Sequence, residues 1–256
     1  MLSFVRNCIS QNQSGGGYWC LRLAYSLVIW WRPRFSNGLI VLCCLVEQNQ
    51  VVEAHLADPG RLKELLLPGA RLYLRHSNQP HRKTKWSVVL VEASDGLTLV
   101  SLQSTLVNQL TALALEKDGL PELGAWNLVR PEYSYDGSRW DFLLENSQAE
   151  QLLLEVKSCS LVHDGVAMFP DAVTERGKRH VQELTRLHAE GVFSTAVLFV
   201  IQRSDAHIFR PADHIDPAFG QALRAANLEG VQVLVRDTVV STTGIDWGRA
   251  LPVKFP

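Results

Sequence analysis

Apolar residues recur along this chain mostly at a spacing of two, in short runs separated by turn residues. In three stretches the spacing changes to three and four. Period two places alternate side chains on opposite faces of a strand, and a period near 3.6 places them on one stripe of a helix. In the first half, Leu39–Leu45, Val51–His55, Ala70–Arg75, Trp86–Ala93 and Leu97–Gln103 read as strands. Asp58-Pro59-Gly60 and Asp95-Gly96 are turn signals between them, and Arg61–Leu67 reads as one helical turn ended by Pro68-Gly69. Five short strands with one helical interruption predict a small antiparallel barrel, although spacing alone does not choose an OB fold over other barrels.

The second half mixes the two periods. Ser104–Glu116, with Leu106, Leu110 and Leu113 on one stripe, predicts a helix stopped by Asp118-Gly119 and Pro121. Trp140–Leu144 and Leu152–Lys157, joined by the polar run Glu145–Glu150, predict a hairpin. Thr174–Glu190 predicts a second helix, with Asp171 or Thr174 as cap and Gly191 as stop. Thr195–Gln202 is almost continuously apolar, as in a strand buried on both faces. Pro217–Ala226 reads as a helix and Val231–Val235 as a last strand, which makes an α/β or α+β domain.

The hairpin carries the chemistry. Alternation sets Trp140, Phe142 and Leu144 on one face of the first strand and Arg139 and Asp141 on the other. On the second strand Leu152, Leu154 and Val156 oppose Leu153, Glu155 and Lys157. One aspartate, one glutamate and one lysine thus meet over a sheet whose other face is apolar. Two neighbouring carboxylates repel unless a cation lies between them, and Mg²⁺ is held by one or two carboxylates plus waters and phosphate oxygens. A lysine beside such a cation can orient the attacking water or stabilise developing charge. D…E-x-K on adjacent strands is the pattern of the PD-(D/E)xK nucleases. The same triplet also suits a buried strand pair with an ordinary Asp–Lys or Glu–Lys salt bridge.

Other candidates surround this centre. On the Thr174–Glu190 helix, Gly177, Val181, Leu184 and His188 share a face, and Arg179, Gln182 and Arg186 share the solvated one. Arg176 and His180 lie four apart at the border, where an arginine fork reaches a phosphate and His180 is either buried with a satisfied ring or catalytic. His81-Arg82-Lys83-Thr84-Lys85-Trp86 is the dense basic cluster. Arg82, Lys83 and Lys85 suit phosphates and Trp86 suits an unpaired base; a solvated loop with Trp86 turned inward to start a strand fits equally.

Charge and cysteines narrow the setting. With 25 Lys and Arg against 26 Asp and Glu, the net charge is −1, so a nucleic-acid partner needs a local basic surface. Five cysteines, none in a CxxC pair, predict buried thiols, no zinc site and a reducing cytoplasm. Tyr18–Trp31 is apolar and aromatic, but Arg22 interrupts it and it falls short of the ~20 residues of a spanning helix. It reads as an extension, with a membrane-surface segment as the alternative.

From Pro131 to Val235 the chain resembles the sugar fermentation stimulation (SfsA) family. The resemblance rests on SRWDFLL, LLLEVKS, GVAMFPDAVTERGKRHVQEL, AVLFVIQRSDAHIFRPADHIDPAF and GVQVLV, and more loosely on Arg34 through PGRLKELLLPGARLYL to LVNQL. It implies an extension at 1–33, an OB-like β-barrel over 34–103 that binds nucleic acid, and a restriction-endonuclease-like mixed-sheet domain over 104–256, α+β overall. With the residue readings above, it leads to the expectation of Mg²⁺ or Mn²⁺ on Asp141 and Glu155, catalysis by these two with Lys157, and nucleic-acid contacts from Arg82, Lys83, Lys85, Trp86, Arg139 and Arg176. The partner implied is DNA, with RNA as the other choice. Nuclease-like folds often add an acidic residue from the first helix; the matching position here is Ala112, with Glu116 one turn on as a substitute. The expected activity is a metal-dependent phosphodiesterase. The alternative is a DNA-binding regulator that keeps the nuclease scaffold without cutting, and a third class is an interaction protein without nucleic acid.

Overall fold

A computed structural model of the chain describes residues 23–27, 34–36, 39–46, 50–57, 62–67, 69–117 and 119–255, with side chains from residue 52 onward. In the first half β1 (Leu23–Leu27), β2 (Arg34–Ser36), β3 (Leu39–Val46), β4 (Gln50–Leu56), β5 (Arg71–His76), β6 (Trp86–Glu92) and β7 (Leu99–Ser101) form one sheet. The order β1–β5–β6–β4–β3 closes on itself because β1 also pairs with β3. The result is a five-stranded barrel, with β2 added beside β3 and β7 beside β6. Closure leaves few bare edges. Five residues of the stretch read as an extension, Leu23–Leu27, are therefore a barrel strand paired with β5. The rest of Tyr18–Trp31, the Asp58–Gly60 turn, Arg61 and Pro68 lie outside the described residues.

The barrel fills from β strands of period two. Leu56, Leu72, Leu74, Val88, Val91 and Val100 point inward. The helical turn read from the sequence is present: the Leu62 carbonyl accepts from the Leu65 and Leu66 N–H groups at 3.1 and 2.9 Å. Leu62, Leu65 and Leu66 are buried in the same core.

α1 (Leu106–Leu115) leads into the second half. There β8 (Trp126–Tyr135), β9 (Ser138–Asn146) and β10 (Gln151–Cys159) make an antiparallel meander. β11 (Val162–His163) and β12 (Val166–Phe169) precede α2 (Glu175–Ala189) and β13 (Ser194–Ile201). β14 (Ile208–Pro211), α3 (Pro217–Leu228), β15 (Gln232–Val240) and β16 (Ile245–Ala250) follow. The main sheet has the order β16–β15–β13–β10–β9–β8, parallel among β10, β13 and β15 and antiparallel outside them. β11, β12 and β14 form a small separate sheet.

Helices cover both faces of the main sheet. On one, Val107, Ala114 and Leu115 of α1 pack over Phe142, Leu144, Leu152, Leu154 and Val156. On the other, Val181, Leu184 and Leu187 of α2 and Phe219 and Leu223 of α3 pack over Leu153, Val197 and Phe199. Burial on both sides is why β10 carries three consecutive leucines and β13 reads as an unbroken apolar run. The two halves meet where the Ser101 N–H donates to the Gln202 carbonyl at 3.0 Å and Val240 packs on Tyr73, Val89 and Leu90.

Two features differ from the pattern reading. β8 escapes it because an edge strand need not alternate: most of it is exposed, Pro131 interrupts it, and its register with β9 slips between Leu128 and Arg130. Trp140 is the second. Strict alternation groups it with Phe142 and Leu144, yet it packs with Leu143 and Leu153 under α2, while Phe142 and Leu144 face α1. The reason is local. The β9–β10 ladder ends at the Phe142–Leu154 pair, and the Val156 N–H is taken by the Asp141 carboxylate at 2.7 Å. On β8, Glu132 lies opposite Asp141 with φ 52°, a left-handed backbone that interrupts the pleat.

Candidate active site

The break in β9 aims Asp141 out of the ladder. Its Oδ2 accepts from the Val156 N–H, and its Oδ1 accepts from Asn108 Nδ2 of α1 at 2.6 Å. Glu155, on β10, is 4% exposed. Its Oε1 accepts from Lys157 Nζ at 2.5 Å and lies 2.7 Å from His180 Nδ1 of α2. An ionised carboxylate only accepts, so the imidazole carries its proton on Nδ1. Nε2 is then free to accept from Arg176 Nε at 3.5 Å. A chain runs Arg176–His180–Glu155–Lys157 across the end of the sheet. The His180 ring is wedged beside Trp140, with centroids 5.5 Å apart.

The other oxygen of Glu155 is the informative atom. Oε2 is buried and has no hydrogen-bond partner. A bare, buried carboxylate oxygen is costly unless something positive meets it. Beside Glu155 stands Asp141, which takes the strain of the pair: burial first, and then repulsion from Glu155, push the Asp141 carboxyl up to about 6. For Glu155 burial also pushes upward, but the hydrogen bond from His180 and the charge of Lys157 outweigh it and hold this carboxyl below its ordinary value. The pair is thus asymmetric, with Glu155 the firmly ionised member. Among the described residues no cluster of three or more His, Cys, Asp or Glu is arranged around one point. Two carboxylates with open positions for water and phosphate are the donor set that Mg²⁺ accepts.

The asymmetry has a measurable consequence. An acid whose folded pKa is raised binds its proton more tightly folded than unfolded, so stability falls as pH rises from about 4 to about 6. Glu155 has the opposite sign, its contribution being lost at more acid pH. Comparison with Asp141→Asn isolates the aspartate. In EDTA the variant is expected to gain on the wild type by on the order of 2 kcal/mol between pH 4 and 7, read from urea melts. A difference that stays constant over this range contradicts the shift.

The first helix contributes differently from the expectation. Ala112 is half-buried against the apolar layer, and Glu116 sits at the helix's exposed C-terminal end, eight residues or about 12 Å beyond Asn108. The α1 side chain that meets Asp141 is Asn108, one turn before Ala112, so Glu116 does not substitute. Asn108 and the His180 contact are the site features that sequence reasoning leaves unassigned. A polar residue on the flank of an otherwise apolar helix was the available signal.

The remaining candidates fall in two places. Arg176 is exposed at the start of α2 and joins the cluster through His180. Arg139 is exposed on β9, two residues from Asp141, with Nη1 3.9 Å from Glu132 Oε2. The basic cluster lies on the barrel. Lys83 and Lys85 are exposed, with Lys85 Nζ donating to the Gln79 carbonyl at 3.2 Å. Arg82 folds back to donate to Ser87 Oγ at 2.8 Å. Trp86 starts β6, half-buried against the barrel core and edge-on to His76 with centroids 4.8 Å apart. Arg186 is tied to Asp136 and Glu190 on the outer face of α2, and Cys159 is a buried free thiol. No helix among the described residues is long and apolar enough to cross a membrane.

Two family models match this chain: the SfsA N-terminal OB domain over residues 40–101 and the Sugar fermentation stimulation protein RE domain over 105–244. The chain belongs to the SfsA family. It is 40% identical over 217 residues to the sugar fermentation stimulation protein homolog of Shouchella clausii, covering 85% of this chain and 93% of the relative. It is 44% identical over 206 residues to the homolog of Chloroflexus aggregans, covering 80% and 77%. Among solved structures it is similar to Pyrococcus furiosus SfsA in complex with Ca²⁺, at a TM-score of 0.78 and 23% identity, over 94% of this chain and all of the other. The closed barrel is accordingly the OB domain of an SfsA protein, and the helix-covered mixed sheet is its restriction-endonuclease-like domain.

Proposed function

We propose that this SfsA protein is a divalent-cation-dependent nucleic-acid phosphodiesterase whose site is Asp141, Glu155 and Lys157. The observation that carries the reading is the buried, partnerless Oε2 of Glu155 beside Asp141, with Oε1 already held by His180 and Lys157. The Ca²⁺ in the Pyrococcus furiosus relative supports a cation site in this fold. Mg²⁺ or Mn²⁺ between the two carboxylates would supply Lewis acidity and a water of lowered pKa. Asp141 and Glu155 would hold that ion, and Asn108 and His180 would keep each carboxylate aimed at it. Lys157 would orient the attacking water and meet the charge that grows on the phosphate. Arg176 and Arg139, exposed on either side, would take the substrate's backbone, and the OB domain would hold the strand through Arg82, Lys83 and Lys85, with DNA the first substrate to try.

Purified protein incubated with labelled single- and double-stranded DNA and RNA is expected to cut at least one of them in Mg²⁺ or Mn²⁺ and none in EDTA. Asp141→Ala is expected to abolish the cutting while binding persists. Cleavage that Asp141→Ala leaves untouched sinks the site. A specific feature favours a second reading, a binder that does not cut: the α1 group at Asp141 is the neutral Asn108, so the cation would meet two carboxylates and no third. Wild-type protein that binds and never cuts, with any of these ions, supports that reading instead.

A further inference from the structure

A cleft of about 260 Å³ opens where the two domains join. The outer face of the barrel gives it Arg75 and Leu90, the start of α1 gives Thr105 and Gln109, and the turn between β15 and β16 gives Ser241. Among the described residues no carboxylate lines it. Arg75 is half-buried at its wall, and no ion pair or hydrogen bond to its guanidinium occurs among the described residues. Its electrostatic neighbour is instead another cation, Arg82.

The barrel register explains the crowding. Ser87 on β6 lies between Arg75 on β5 and His55 on β4, and Arg82 reaches over to donate to the Ser87 hydroxyl at 2.8 Å. Burial, and after it the charge of Arg82, depress the pKa of both Arg75 and His55. Like charges gathered and partly dried, with no counter-charge among the described residues, are unfavourable in the free protein. A guanidinium with hydroxyls and amides and no acid among the described lining residues, and a second guanidinium next to it on the barrel, is what a phosphate monoanion satisfies.

We infer that this cleft and the Arg75–Arg82 row bind a backbone phosphate of the same nucleic-acid strand whose scissile phosphate reaches Asp141 and Glu155. The inference rests on the nucleic-acid reading above. The first turn of α1 links the two places: Thr105 and Gln109 line the cleft, and Asn108 between them turns to Asp141. The subsite would anchor the strand and set how far from its anchored position cleavage falls.

The test is fluorescence anisotropy with a labelled ten-nucleotide strand and a duplex of equal length, in EDTA, over a range of salt. Arg75→Ala is expected to weaken binding about tenfold at low salt. It should also lower the slope of log K against log salt by about 0.7 for the single strand or 0.9 for the duplex, one phosphate contact. Arg75→Lys keeps the charge and is expected to keep the slope, which separates lost contact from lost fold. Arg186→Ala, whose arginine is paired on the far face of α2, is the control and should change neither quantity. Wild-type and Arg75→Ala proteins that bind with equal affinity and equal slope overturn this inference and leave the nucleic-acid reading standing. A wild type that binds neither oligonucleotide overturns both. Inorganic phosphate that protects the wild type from thermal unfolding, with oligonucleotide binding insensitive to Arg75, would mark a free-anion site and overturn the strand anchor.

Discussion

Glu155→Gln is expected to weaken divalent-cation binding at least a hundredfold and to remove metal-dependent cleavage. The expectation follows from the two oxygens of one side chain. Oε1 is occupied by His180 and Lys157, so the amide of the variant can keep its oxygen there. Its nitrogen then falls where Oε2 lay, buried and without a partner. A carboxylate lone pair aimed at a cation is thereby replaced by two N–H donors, which no metal accepts as ligands. The neutral side chain also leaves the half-buried Lys157 without its counter-charge, and breaking a buried pair in this way costs up to about 3–5 kcal/mol. The clean readout is therefore linkage rather than activity. For the wild type, Ca²⁺ or Mg²⁺ at about a hundred times its Kd adds about 2.7 kcal/mol, or roughly 5–10 °C in melting temperature for a chain of this size. Glu155→Gln is expected to melt lower and to show no such rise. An undiminished cation-dependent rise in the variant moves the metal away from Glu155.

Much of this site was legible from the chain because strand alternation is rigid. Glu155 and Lys157, two apart on β10, share a face by geometry alone, and a hairpin over Glu145–Glu150 brings Asp141 alongside. The pattern failed where the structure breaks its own period. Trp140 changes layers because β9 leaves its ladder at Asp141, and no count of apolar positions registers a carboxylate replacing a backbone carbonyl as the acceptor for Val156. β8 was silent for a related reason: an edge strand that is mostly exposed and cut by Pro131 carries little alternation. Long-range partners were also out of reach. Nothing in the spacing of α1 says that Asn108 rather than Ala112 meets a residue 33 positions later, because that depends on how the helix is rotated on the sheet. His180 stood at the border of two faces by period, and packing against Trp140 and Glu155 decided its burial.

Lys157→Ala is expected to lower cleavage by about 10²-fold or more while cation and nucleic-acid binding stay within a few fold of wild type. Its ammonium lies against Glu155 Oε1 and is mostly shielded from solvent, so it is poised beside the place where the cation and scissile phosphate would meet. Nucleic-acid affinity is spread over many phosphate contacts, and removing one group at the cutting point changes it little. The fold, however, will not be indifferent. Lys157 is one of two groups that hold Glu155 ionised in a buried position, so its loss leaves only the His180 hydrogen bond to meet that charge. The variant is expected to melt several degrees lower, and Glu155 is expected to titrate higher. Lys157→Arg separates the two roles. It restores a cation next to Glu155 and with it most of the stability, but its planar fork cannot put a single N–H where the ammonium stood, and cleavage should remain well below wild type. Full activity in Lys157→Arg would reduce the lysine to a counter-charge for Glu155, and full activity in Lys157→Ala would remove it from the reaction altogether.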